Sequence, residues 1–197
     1  MQHDASDRRS GTGRLIFLIG PSGSGKDSLI DASREQLAAA GVEIARRVIT
    51  RSAEAKGEAA HGVTTEQFAT LLARGAFAMH WQANGLDYGI PLQVDQWLQA
   101  GRAVLVNGSR AYLAQARRRY PDLLAVLVEV RPEVLRQRLL ARGRETAEEV
   151  EQRLARNAGL QTTTDPSVRV LDNSAGLEVA VAGLFTLLRE EGVLPQA

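Results

Sequence analysis

Nine residues, Gly20-Pro21-Ser22-Gly23-Ser24-Gly25-Lys26-Asp27-Ser28, constrain this chain more than any other stretch. They follow an apolar run, Leu15 to Ile19, and open onto a segment with helical spacing, Leu29 to Ala40. Strand, glycine loop and helix is the context in which G-x-x-x-x-G-K cradles phosphate. Glycines allow tight turns whose N–H groups point inward, and a helix N-terminus adds positive partial charge. Lys26 supplies a full charge for the terminal phosphates of a nucleoside triphosphate. Of 24 basic residues only Lys26 and Lys56 are lysine, so a compact ammonium has been kept at this point in an arginine-rich chain. The whole stretch from Gly20 to Ser28 is therefore read as nucleotide-binding.

Asp27 departs from the full pattern, which places Ser or Thr after the lysine to hold Mg²⁺. Ser28 does not take over, because one helical residue turns a side chain by about 100°. Asp27 either binds the metal or its water shell, or leaves Mg²⁺ to phosphates and water, which that ion tolerates. As an acidic first-turn residue it also suits the helix dipole. We read Asp27 as lying near a hydrated Mg²⁺.

At 197 residues and 44% hydrophobic content, the chain suits a single domain with an ample core. A net charge of +1 argues against bulk nucleic-acid binding. The absence of cysteine excludes disulfides, thiolate metal sites and thiol catalysis. His3, His61 and His80 are too scattered for a histidine metal site. Residues 1–13 read as a polar flexible tail without the apolar core of a signal peptide. No apolar stretch approaches the roughly 20 residues that cross a bilayer. The expectation is a cytoplasmic protein with no membrane partner.

Beyond the loop helix, the periodicity predicts one strand through Val42-Glu43-Ile44 and Val48-Ile49, then an irregular loop over 52–63. Thr64-Thr65-Glu66-Gln67 is a helix start. Asn84-Gly85 joins two strand-like runs, Phe77 to Ala83 and Leu86 to Ile90, as a hairpin. Pro91 is placed to open a helix. A buried strand at Ala103–Val106, a helix from Ala111 to Tyr120 and a strand at Leu123–Val128 follow. Helices over Pro132–Arg142 and Ala147–Ala158, a strand at Val168–Leu171 and a closing helix from Leu177 complete the chain. Alternating strands and helices imply a P-loop three-layer α/β/α fold on a parallel five-stranded core sheet, with ligands at the strands' carboxyl ends. Residues 14–197 form one kinase-like domain in this reading. Segment 47–92 is an inserted acceptor-binding lobe, and 131–158 an arginine-rich lid.

Phosphoryl transfer needs positive charge around the migrating group more than it needs a nucleophile. Arg138 and Arg142 fall about 60° and 20° to one side of Leu135 on a helical wheel, flanking the apolar stripe. Arg144 follows on a glycine-hinged loop. These three are read as catalytic with Lys26, and Arg153 as a further nucleotide contact. Surface ion pairing is the alternative for all of them, and the better one for Arg156. The run Arg117-Arg118-Arg119 reads as a solvated helix end, Trp81 and Trp97 as core.

The nucleotide loop, Ile49-Thr50-Arg51, Trp81-Gln82-Ala83-Asn84-Gly85-Leu86-Asp87-Tyr88-Gly89, Val104 to Arg110 and Arg138 to Glu145 together resemble the ribose 1,5-bisphosphate phosphokinases. These are guanylate-kinase-like P-loop kinases, and the resemblance spans nearly the whole chain from Arg14. It implies ATP- and Mg²⁺-dependent phosphorylation of ribose 1,5-bisphosphate to 5-phospho-α-D-ribose 1-diphosphate, a phosphosugar reaction tied to phosphonate breakdown. By match to residues that hold the phosphate of GMP, it implies that Arg51 and Tyr88 contact acceptor phosphate. Arg110, past a strand's carboxyl end, is placed to meet a second phosphate, with Arg47 and Asn107 as further acceptor contacts. An ordinary ion pair is the alternative for Arg110.

Guanylate kinases read guanine with a Glu near the start of the hairpin and a hydroxyl after Tyr-Gly. This chain has Met79 and Ile90 there. Their acidic strand-end motif is replaced by Asn107. A nucleoside monophosphate kinase nevertheless remains the rival reading, and a phosphopeptide-binding module without catalysis a third. The sequence leaves the oligomeric state open.

Overall fold

The structure, a computed structural model, describes residues 13–51, 60–143, 145–158 and 165–196. Nearly all of the expected tail, most of the loop over 52–63, and Arg144 lie outside these residues.

The chain enters β1 (Leu15–Ile19), passes the glycine loop into α1 (Lys26–Ala39), and continues through β2 (Val42–Ile44), β3 (Val48–Ile49) and β4 (His61–Gly62). Then come α2 (Thr65–Ala73), β5 (Phe77–Ala83), β6 (Leu86–Pro91), α3 (Gln93–Gln99) and β7 (Ala103–Asn107). A 3-10 turn (Arg110–Tyr112) leads into α4 (Leu113–Arg119) and β8 (Leu124–Glu129). The chain ends with α5 (Pro132–Arg142), α6 (Ala147–Ala158), β9 (Val168–Asp172) and α7 (Leu177–Glu190).

Five strands form a parallel sheet in the order β2-β7-β1-β8-β9. Strand side chains alternate in direction, so β1 feeds both layers. Ile16 and Leu18 join α1 and α7 through Leu29, Leu37, Leu184 and Leu188. Leu15, Phe17 and Ile19 join α3 and the second sheet through Val94, Leu98, Met79 and Ile90. This two-sided burial explains why β1, β7 and β8 read as unbroken apolar runs. Among the described residues no helix is long and apolar enough to cross a membrane.

The single strand expected across 42–49 is in fact two. Val42–Ile44 pairs with β7 in the main sheet, whereas Val48–Ile49 pairs with β6 in a separate sheet ordered β4-β3-β6-β5. Ala45 still donates its N–H to Leu105; beyond it the chain leaves one sheet for the other, carrying the buried Arg47 across. His61–Gly62, expected as loop, adds a parallel edge to β3. The hairpin forms as predicted, with Asn84 and Gly85 both at positive φ.

Thr64 caps α2 in a reciprocal capping box with Gln67. Pro91 opens no helix; it closes β6 opposite Phe77, and α3 starts at Gln93. The helix expected from Ala111 begins instead as the 3-10 turn. Arg117 and Arg119 are not simply solvated, since they pair with Asp165 and Asp95 at 2.6 Å each.

Candidate active site

The glycine loop leaves the carboxyl end of β1, central in its sheet. Gly25 is the N-cap of α1 in the left-handed region (φ 87°), where a side chain is strained. A Cβ on Gly23 would come within 3.0 Å of the methyls of Leu135 and Leu139. The buried stripe of α5 therefore seats directly on the loop, forming a small core with Val150 of α6. Lys26 turns its Nζ onto the loop, donating to Gly20 O at 2.8 Å and Pro21 O at 3.2 Å. Burial lowers its pKa from 10.5 to about 8; Asp27 opposes the shift, while Arg47 and Arg110 add to it. Both guanidiniums are thus near enough for their charge to be felt at the ammonium.

Asp27 points across to the end of β7. Its Oδ1 accepts from Asn107 Nδ2 at 2.6 Å and from Arg47 Nη2 at 3.4 Å. Arg47 also donates Nη1 to Asn107 O at 3.2 Å, and its guanidinium carbon lies 5.3 Å from the centre of the Tyr88 ring. Desolvation lowers the Arg47 pKa, with Asp27 restoring part of it. Tyr88 stacks in turn on Trp81 at 5.6 Å, and Trp81 packs on Tyr112 at 5.4 Å. One chain of contacts therefore ties the glycine loop and α1 to the second sheet. Beside it opens a cleft of about 300 Å³ lined by Asp27, Asp31, Arg34, Arg46, Arg47 and Asn107.

Two buried polar atoms near this cluster lack a protein partner, Asn107 Oδ1 and Arg110 Nη2. Each costs about 1–3 kcal/mol if left unmet. Their chemistry is complementary: the amide oxygen suits a hydroxyl or a metal-bound water, the guanidinium an anion. No group of three or more His, Asp or Glu suited to a metal exists among the described residues. The donor set is thus one carboxylate and one amide oxygen, which fits a magnesium ion that keeps most of its waters and phosphate ligands.

The expected arginines divide. Arg138 is half-buried, donates to Ala175 O at 3.3 Å, and places Nη1 3.8 Å from where a Gly25 Cβ would stand. Arg153 reaches the loop, with Nη1 3.4 Å from Ser22 Oγ and Nη2 2.8 Å from Glu145. Arg142, expected to flank the apolar stripe, is exposed at the last turn of α5. Arg51 lines a second cleft of about 420 Å³ with Thr50, Gly62 and Thr64 to Gln67.

Sequence reasoning missed Asn173 and Ser174. Asn173 is buried, donating Nδ2 to Ser24 O at 2.7 Å, and Ser174 Oγ accepts from Arg131 N at 2.8 Å. The available signal was their place just beyond the carboxyl end of β9. Arg34 and Arg46 were also missed, because surface arginines on a helix and a connector carry no motif.

Comparison with known proteins agrees with this architecture. The guanylate kinase family model matches residues 12–191. The chain is 65% identical over 177 residues to the ribose 1,5-bisphosphate phosphokinase PhnN of Pseudomonas paraeruginosa, covering 90% of this chain and 96% of that one. It is 49% identical to the protein of that name from Thiobacillus denitrificans, covering 90% and 94%. Among solved structures, a guanylate kinase from Anaplasma phagocytophilum superposes with a TM-score of 0.58 at 18% identity, over 92% of this chain and 87% of that one. That likeness speaks to the fold alone.

Proposed function

The chain belongs to the guanylate kinase family and, within it, to the ribose 1,5-bisphosphate phosphokinases, and from that premise we propose its reaction. It transfers the γ-phosphoryl group of ATP to the anomeric phosphate of ribose 1,5-bisphosphate, giving 5-phospho-α-D-ribose 1-diphosphate and ADP. The observation that carries this over a nucleotide-kinase reading is the burial of Met79 and Ile90. These residues stand where guanylate kinases present polar groups to guanine, and both are inside the core, 1% and 0% exposed. A purine would find no hydrogen-bond partner there, and each polar group of the base left unmet would cost about 1–3 kcal/mol.

The attacking atom is an oxygen of a phosphate that is already ionised at neutral pH, so the reaction needs no general base. The residues from Gly20 to Ser28 offer backbone N–H groups to the nucleotide phosphates. Lys26 exchanges its two carbonyl contacts for phosphate oxygens. Arg138 and Arg153, already over the loop, neutralise charge from the side of α5 and α6, with Arg142 joining them as that pair of helices closes and excludes water. Arg47, Arg51, Tyr88, Arg110 and Asn107 receive the acceptor, whose two phosphates require more cationic contacts than one would. Asp27 and Asn107 would hold magnesium through its water shell, and the ion would supply charge neutralisation to the transferring group.

The test is phosphorus NMR of the products after incubation with ATP, Mg²⁺ and ribose 1,5-bisphosphate, with GMP in a parallel sample. A diphosphate doublet pair from the sugar and no GDP is the expected result. Brisk GDP formation without the sugar diphosphate overturns the proposal.

A further inference from the structure

In P-loop enzymes the magnesium site is a pair: a hydroxyl on the first turn of the loop helix and a carboxylate at a strand end. Here the first-turn position holds Asp27 and the strand-end position, the last residue of β7, holds Asn107. Their side chains are hydrogen bonded, Asn107 Nδ2 to Asp27 Oδ1 at 2.6 Å. We propose that the pair is exchanged, so that the one carboxylate of the metal site has moved from the strand to the loop helix and the neutral partner has moved the other way.

Three observations support this. The hydrogen bond is made in the sense that an exchange requires, with the neutral strand-end group donating to the helix carboxylate. Both contacts fall on Oδ1, and 43% of the Asp27 side chain stays exposed for a metal-bound water. The amide orientation so fixed leaves Asn107 Oδ1 buried and unmet, an acceptor suited to a second such water. The exchange also has a consequence on the acceptor side. A carboxylate on the helix comes within 3.4 Å of Arg47 and offsets the desolvation of that buried guanidinium, so metal and acceptor sites share one charge.

The inference rests on the kinase reading only for the presence of a metal nucleotide, and its test keeps the two apart. Mn²⁺ affinity is measured by electron paramagnetic resonance in the presence of ADP, for the wild type, Asp27→Ser, Asn107→Asp and the double variant that restores the usual arrangement. Thermal melting of each variant checks folding, and Asp27→Asn removes the charge while keeping the shape. Asp27→Ser and Asp27→Asn should each weaken Mn²⁺ by about 10–100-fold, the range for losing a group that orients a metal site. The double variant should recover most of that loss. Wild-type affinity in Asp27→Ser, or a double variant no better than Asp27→Ser, overturns the exchange. Because the readout needs no acceptor, failure to turn over ribose 1,5-bisphosphate would count against the proposed reaction and not against this inference.

Discussion

Met79 and Ile90 face each other across the β5–β6 hairpin, register partners whose side chains both lie in the core shared by β1, β7 and α3. The two positions where a base-reading kinase needs polarity are therefore filled by apolar side chains packed in the core. Replacing Met79 with Glu should not create activity on GMP. It should instead cost about 3 kcal/mol or more of stability, because a carboxylate would be buried without a partner. Urea denaturation and a coupled ADP assay with GMP read both outcomes; GMP turnover in the variant would show that the pocket is polar enough after all.

Lys26 carries a testable conflict between stability and function. Its folded pKa of about 8 lies below its ordinary 10.5. Between those values the unfolded chain holds a proton that the folded chain has lost, so stability rises with pH across that window. Below it the buried ammonium is a constant penalty. Lys26→Met should therefore be more stable than wild type at pH 7, by about 1–3 kcal/mol, with the advantage shrinking by pH 9.5. Turnover should fall by orders of magnitude. Denaturation at the two pH values checks the first claim, and equal stability at pH 7 would refute it.

The same shift predicts how nucleotide binding responds to pH. Phosphate prefers the protonated ammonium, so ATP affinity should be level below pH 8 and fall above it as Lys26 deprotonates in the free protein. Isothermal titration with a non-hydrolysable ATP analogue between pH 6.5 and 9.5 gives the profile. A profile flat throughout would mean that Lys26 keeps its proton.

Arg138 and Arg142, one turn apart, should differ sharply. Arg138 sits beside Gly25 whereas Arg142 is exposed. Arg138→Ala should reduce kcat by about 10²–10³, as expected when a preorganised donor to developing charge is lost. Arg142→Ala should have the smaller effect, since that side chain must first be carried inward. Steady-state kinetics on both variants decides; equal losses would place Arg142 at the loop as well.

Gly25→Ala tests the packing of the loop against the residues after β9. The new Cβ would stand 2.6 Å from Asn173 Nδ2, at a φ of 87° that strains any side chain. The bond from Asn173 to Ser24 O should break, with a stability loss of about 1–3 kcal/mol and weaker nucleotide binding. Calorimetry and nucleotide titration measure the two effects.

The glycine loop between β1 and α1 was legible in the linear chain because its conformation is set locally. Gly20 to Lys26 determine backbone conformation within seven residues, and the flanking apolar runs state strand and helix. The five parallel strands, the Asn84-Gly85 hairpin and the Thr64 cap were readable for the same reason, each set by neighbours in sequence. The course of 42–49 was not, because leaving one sheet for another is decided by which strand accepts the next hydrogen bond, and periodicity is blind to that. Nor was the union of Asp27, Arg47, Asn107 and Tyr88, drawn from three elements and a connector up to 80 positions apart. Their meeting depends on desolvation: a buried guanidinium must find a carboxylate and a ring face, and only the packed structure determines which ones are within reach.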